Sequence, residues 1–178
     1  VCWNCKVIAM QGGVVEPAAI QYAAENGAKV ISMSWFGTIN GPLSDSVDYA
    51  YALDIVLLTG IGNWAPNGAN NNFCKKENLI CIAGSTNEDK PWVSSDYNSE
   101  IGRYSDLGSP SKSIRAPTPY DHPLNIYVDT SGTSFGAPIA AGVVALMLTE
   151  NPNLTPDEVK SILLSSTDPY NITTPGRS

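Results

Sequence analysis

The stretch Thr130 to Leu148, TSGTSFGAPIAAGVVALML, places a serine, Ser134, where a small polar turn gives way to a long uncharged apolar run. At a helix start the first backbone N–H groups lack intrahelical partners, and that end of the helix dipole is positive. An oxyanion generated by attack of Ser134 on a carbonyl would be stabilised there. A serine hydroxyl is a poor nucleophile without an adjacent base. The chain has a single histidine, His122, in PYDHPLN beside Asp121. Asp121-His122 is a candidate dyad for Ser134, and an exposed loop histidine is the plainer reading. Ser134 has a plainer reading too, as a helix cap, because serine is a preferred cap residue. Pro138 is expected to be harmless, its missing N–H falling among the free donors of the first turn.

Four cysteines, Cys2, Cys5, Cys74 and Cys81, permit two disulfides. Cys2-Trp3-Asn4-Cys5 has the C-x-x-C spacing of redox and zinc sites, but neither a second C-x-x-C nor a histidine cluster accompanies it. A local or inter-chain crosslink accounts for the pair as well. Asn153-Leu154-Thr155 and Asn171-Ile172-Thr173 match the glycosylation sequon. Together with the cysteines they lean toward an extracellular or secretory setting.

Such residues need a scaffold, and 178 residues are enough for one domain with a real core. Hydrophobic residues make up 43% and charged residues 15%, a globular balance. A net charge of −7 argues against nucleic acid, whose phosphates need a basic face. The longest apolar run, Ile139 to Leu148, is shorter than a membrane span and reads as a core helix, so no membrane partner is expected. Strand and helix signals alternate. Lys6–Met10, Lys29–Ser34, Ile55–Thr59, Leu79–Ala83 and Ser113–Ala116 read as strands. Pro17–Asn26, Leu43–Leu53 (with Ser44 as a possible cap), Ser134–Thr149 and Pro156–Ser165 read as helices. Thr155 caps the last, and Asp157 and Glu158 suit the positive end of its dipole. The alternation, with strands apolar on both faces, predicts an α/β fold in which helices flank a parallel sheet. Functional residues then belong at the carboxyl edge, in Trp35–Pro42, Gly60–Asn72 and the stretch before Ser134.

Residues 132–142, GTSFGAPIAAG, resemble the nucleophile motif of subtilisin-like serine proteases, G-T-S-x-x-x-P followed by a helix of small residues. VISMSWFG, from Val30 to Gly37, resembles that family's strand and substrate-binding edge. Gly62-Asn63 resembles the glycine-asparagine pair of its oxyanion hole, and ICIAGS, from Ile80 to Ser85, the following strand. Tyr104-Ser105 and Ala116-Pro117 fall at family positions as well. The matches come in family order and cover nearly the whole chain.

The resemblance implies a subtilisin-like fold, incomplete at its amino-terminal side, with residues 1–178 forming the carboxyl-terminal part of the peptidase domain. It implies a serine endopeptidase working through an acyl-enzyme, with Ser134 as nucleophile, Asn63 in the oxyanion hole and Thr133 supporting it. Ser34, Trp35 and Phe36 would bind an extended peptide as an added strand, and Gly60, Ile61 and Gly62 would border the adjoining pocket. The loop Asn70 to Cys74 would close its floor. Phe36 stands at or next to a usual glycine, Thr118 replaces another, and Phe135 replaces a small residue or methionine.

The family's aspartate and histidine lie upstream of the VISMSWFG-like strand, in segments that this chain does not contain. The expected partners are therefore a protein or peptide substrate and a complementing chain or segment that carries the base, tethered through the cysteines near Val1. The alternatives are a non-catalytic module for peptide binding on the same fold, or a sedolisin-type acid serine peptidase. Asn63 opposes the latter, because sedolisins are expected to carry aspartate there. No catalytic cofactor is expected. Calcium is a candidate structural ion in the oxygen-rich loops Asn67–Asn72 and Glu88–Asp96.

Overall fold

A computed structural model describes residues 1–10, 16–35, 39–63, 72–92, 105–117 and 127–168. Four strands, β1 (Val30–Met33), β2 (Val56–Gly60), β3 (Ile80–Ser85) and β4 (Leu107–Pro110), form a parallel sheet in sequential order. β2 and β3 are buried along their whole length, as their doubly apolar sequences require. Alternation divides β2 between two cores. Leu57, with Ile55 just before the strand, joins α1 (Pro17–Glu25), α2 (Gly41–Ala52), Met33 and Phe73 on one face. Val56 and Leu58 join Ile80, Ile82, α3 (Thr133–Glu150) and α4 (Pro156–Ser166) on the other. β5 (Ile114–Pro117) and β6 (Tyr127–Thr130) form an antiparallel pair leading into α3.

Each helix start has a chemical cause. Pro17 opens α1 at a position that needs no donor. α2 is capped by Asn40, whose Oδ1 accepts the Leu43 N–H at 3.1 Å. Ser44 is therefore not its cap: it lies inside the helix, where its hydroxyl takes the Lys76 ammonium at 2.7 Å. α4 begins with the expected Thr155, in a full capping box with Glu158.

α3 rides directly on the sheet through small residues. A Cβ on Gly136 would stand 2.5 Å from Ser111 Oγ and 3.3 Å from Ile82 Cγ2, so only glycine permits this approach. Ala137, Ala140, Ala141 and Val144 continue the buried face, whereas Val143 and Leu146 are exposed. By length and composition α3 is long and apolar enough to cross a membrane, more than the run Ile139–Leu148 suggested; one face of it packs on the sheet, and 28% of it is buried.

Two further expectations fail. Lys6–Met10 forms no strand and is exposed throughout. A strand exists only in a ladder, and among the described residues β1 pairs with β2 alone, leaving this segment without a partner. Pro138 is the sixth residue of α3, beyond the first turn. Its missing N–H is therefore one that the helix would have used.

Two disulfides are present. Cys2–Cys5 closes a local loop, which leaves neither thiol for an inter-chain tether or a metal. Cys74–Cys81 fastens the short 3-10 turn Asn72–Lys75 to β3.

Candidate active site

Three elements converge at the carboxyl edge of the sheet. β1 delivers Ser34 and Trp35, β2 delivers Gly60 to Asn63, and α3 delivers Thr133 and Ser134 in its first turn. Thr133 joins the last two. Its N–H donates to Asn63 Oδ1 at 2.9 Å, and its hydroxyl lies 3.1 Å from the same oxygen. The hydroxyl oxygen in turn accepts the Gly62 N–H at 3.2 Å. Because an amide oxygen must meet those two donors, the network fixes which end of the Asn63 carboxamide is oxygen and which is Nδ2. Nδ2 is left on the side of Gly132, where a Cβ would lie 3.6 Å from it.

Asn63 therefore serves as an acceptor at the start of α3, delivered from another strand. Ser134 is not a cap. The N-cap residue is Gly132, with no side-chain cap bond, and Ser134 is already helical. Its hydroxyl instead lies 3.5 Å from the Ser34 carbonyl oxygen, and its own carbonyl accepts the Ser34 hydroxyl at 2.8 Å. Ser134 and Asn63 are both partly exposed, while Thr133 beneath them is buried.

Gly60 has no room for a side chain. A Cβ there would stand 3.0 Å from the Thr133 carbonyl carbon, carbonyl oxygen and Oγ1. Ile61 is buried against the Cys74–Cys81 disulfide, and its N–H donates to the Ile82 carbonyl at 2.9 Å. Trp35 packs partly against the core under α1 and α2. Phe36, Asp121, His122, Tyr104 and Thr118 lie outside the described residues, as do Asn70 and Asn71 of the loop Asn70–Cys74.

Thr59 is a residue that sequence reasoning missed. It is fully buried, and its hydroxyl donates to the Trp35 carbonyl at 3.0 Å, tying the β1 extension to β2. The available signal was its polarity at the end of the otherwise apolar IVLLT. Ser34, expected in a peptide-binding edge, turns its hydroxyl to the Ser134 carbonyl.

Among the described residues, no three or more His, Cys, Asp or Glu side chains cluster together. In the loop from Glu88 the Glu88 carboxylate is engaged by Lys90 at 2.6 Å. Asn67–Asn71 and residues 93–96 lie outside the described residues.

The site is a strand-end carboxamide locked to Thr133, beside a partly exposed serine in the first turn of a helix. The chain matches the peptidase S8 model, described as the subtilase family, over residues 1–177, and it belongs to that family. It is 30% identical to subtilisin DY of Bacillus licheniformis over 84% of this chain and 53% of that protein. It is 35% identical to thermitase of Thermoactinomyces vulgaris over 74% of this chain and 44% of that protein. A calcium-dependent protease of Trichormus variabilis is 29% identical over 92% of this chain and 30% of its own length. The chain thus spans about half the length of the first two relatives.

Proposed function

We propose that residues 1–178 are the carboxyl-terminal part of a subtilisin-like peptidase domain and supply the nucleophile half of a serine endopeptidase site. The observation that carries this reading is the lock of Asn63 Oδ1 by the Thr133 N–H and hydroxyl, which turns the amide donor of Asn63 toward the Ser134 end of α3. Ser134 Oγ attacks the peptide carbonyl while its proton passes to a histidine on a complementing segment. The oxyanion is held by Asn63 Nδ2–H and the Ser134 N–H, with Thr133 as support. Collapse expels the amine, which takes that proton, and leaves an ester on Ser134 that water hydrolyses. The substrate lies extended along Ser34, Trp35 and Phe36, with the preceding side chain beside Gly60, Ile61 and Gly62.

The complementing segment carries the aspartate and histidine. Surfaces suited to it are the exposed Val143 and Leu146 of α3 and the unladdered Lys6–Met10. Structural calcium, suggested by the name of the calcium-dependent relative, would have no part in the chemistry. The two disulfides support a secretory or extracellular setting.

The test is labelling with a fluorophosphonate probe in the presence of the complementing segment, followed by mass spectrometry. One adduct on Ser134, abolished by Ser134→Ala, is the expected result. Absence of an adduct would leave a peptide-binding module on a protease fold. An adduct formed by the isolated chain would instead bring back His122 as base.

A further inference from the structure

In an α-helix the Ser134 carbonyl would accept the N–H of residue 138. That residue is proline, which has none, and yet α3 runs from Thr133 to Glu150 with Pro138 inside it. A donor arrives from elsewhere. Ser34, 100 residues away and one position past β1, donates its hydroxyl to the Ser134 carbonyl oxygen at 2.8 Å. The neighbouring Trp35 carbonyl is held by Thr59 at 3.0 Å, so the segment carrying Ser34 is itself anchored.

We infer that Ser34 is a positioning residue for Ser134, its hydroxyl standing in for the N–H that Pro138 lacks. The proline releases one carbonyl from the helix ladder, and the serine fixes that carbonyl to the sheet. The first turn of α3 is then tied on two sides, through Thr133 to Asn63 and Gly62 on β2's extension and through Ser134 to Ser34 on β1's. This role belongs to the Ser34 side chain and is separate from any contact its backbone makes with a peptide. It rests on the reading of Ser134 as nucleophile.

A double-mutant cycle tests it, using Ser34→Ala, Pro138→Ala and the pair, with the complementing segment present. Ser34→Ala should lower the fluorophosphonate labelling rate and kcat by about three- to tenfold, the range for losing one neutral hydrogen bond, with KM little changed. Ser34→Thr should restore most of the rate. In the Pro138→Ala background residue 138 regains an N–H, so Ser34→Ala should cost little, and the cycle should be non-additive. Equal costs in the two backgrounds would overturn the substitution of one donor for the other. An unchanged rate in Ser34→Ala, or an effect confined to KM, would overturn the positioning role. Should Ser34→Ala fail to fold, Ser34→Cys, a weaker donor of similar size, should give an intermediate rate, and wild-type rates in it would count against the proposal. Failure of the unsubstituted protein to label would overturn the nucleophile reading itself, and the positioning role with it.

Discussion

At the scale of single residues, Asn63 has two ends with two jobs. Oδ1 receives Thr133, and Nδ2 is the proposed donor to the oxyanion. Asn63→Asp separates these jobs, because a carboxylate still accepts both Thr133 donors but has no N–H to offer. Its midpoint of thermal unfolding should stay near that of the unsubstituted protein. Its kcat should fall by about 10²–10³-fold, the usual cost of one oxyanion donor. Parallel losses of stability and rate would make Asn63 a structural residue only. The grouping of Ser134, Thr133 and Asn63 at one end of α3 was legible from their motifs, whose spacing is specific. The Ser34 bond to the Ser134 carbonyl was not, because it joins residues 100 positions apart. Pro138 was misread because its place in the helix depends on Gly132, and not Ser134, being the cap.

At the scale of elements, α4 is attached to the sheet by a polar clasp as well as by Val159 and Leu163. Lys160 Nζ reaches Asp106 Oδ1 at 2.9 Å and the Leu79 carbonyl at 2.9 Å. Asp106 Oδ2 accepts the Cys81 N–H at 2.7 Å. Asp106→Ala would leave the Lys160 ammonium and that N–H without this acceptor, a loss of about 2 kcal/mol. Chemical denaturation should show it as a lower midpoint at unchanged slope. The elements themselves were largely readable. Proline and cap residues marked helix starts, and β2 and β3 announced a parallel sheet by being apolar on both faces. β4, LGSP, and β6, YVDT, were not readable, since neither shows an apolar run or alternation and each is a strand only through its neighbour. Lys6–Met10 shows the converse, an apolar run that no described strand pairs with.

At the scale of the whole molecule, acid should loosen the link between α2 and the turn that follows β2. The Lys76 ammonium, hydrogen-bonded to Asp48 at 2.8 Å, holds that carboxyl below its ordinary value, aided by Asn78. A depressed folded value means that the ionised form contributes stability above the ordinary carboxyl range. The contribution is lost as pH falls through the lowered value. Asp48 is more than half exposed, so the effect should be under about 1 kcal/mol. The stability gap between the unsubstituted protein and Asp48→Asn should be largest near neutral pH and vanish in acid, as read from unfolding midpoints across that range.

The contact beneath Gly136 reaches further than its size suggests. At Gly136 the helix has no side chain, so the height of α3 above the sheet is set there by its backbone meeting the side chains of Ile82, Ser109 and Ser111. Ser134 lies two residues up that helix, so its altitude over the sheet is machined from below. A single methyl added at Gly136 would act as a shim, lifting the serine away from the Asn63 amide without touching either. The tolerance of the site is then a property of its floor, and changes buried under the helix belong among the first to examine when activity drifts without any change at the catalytic edge.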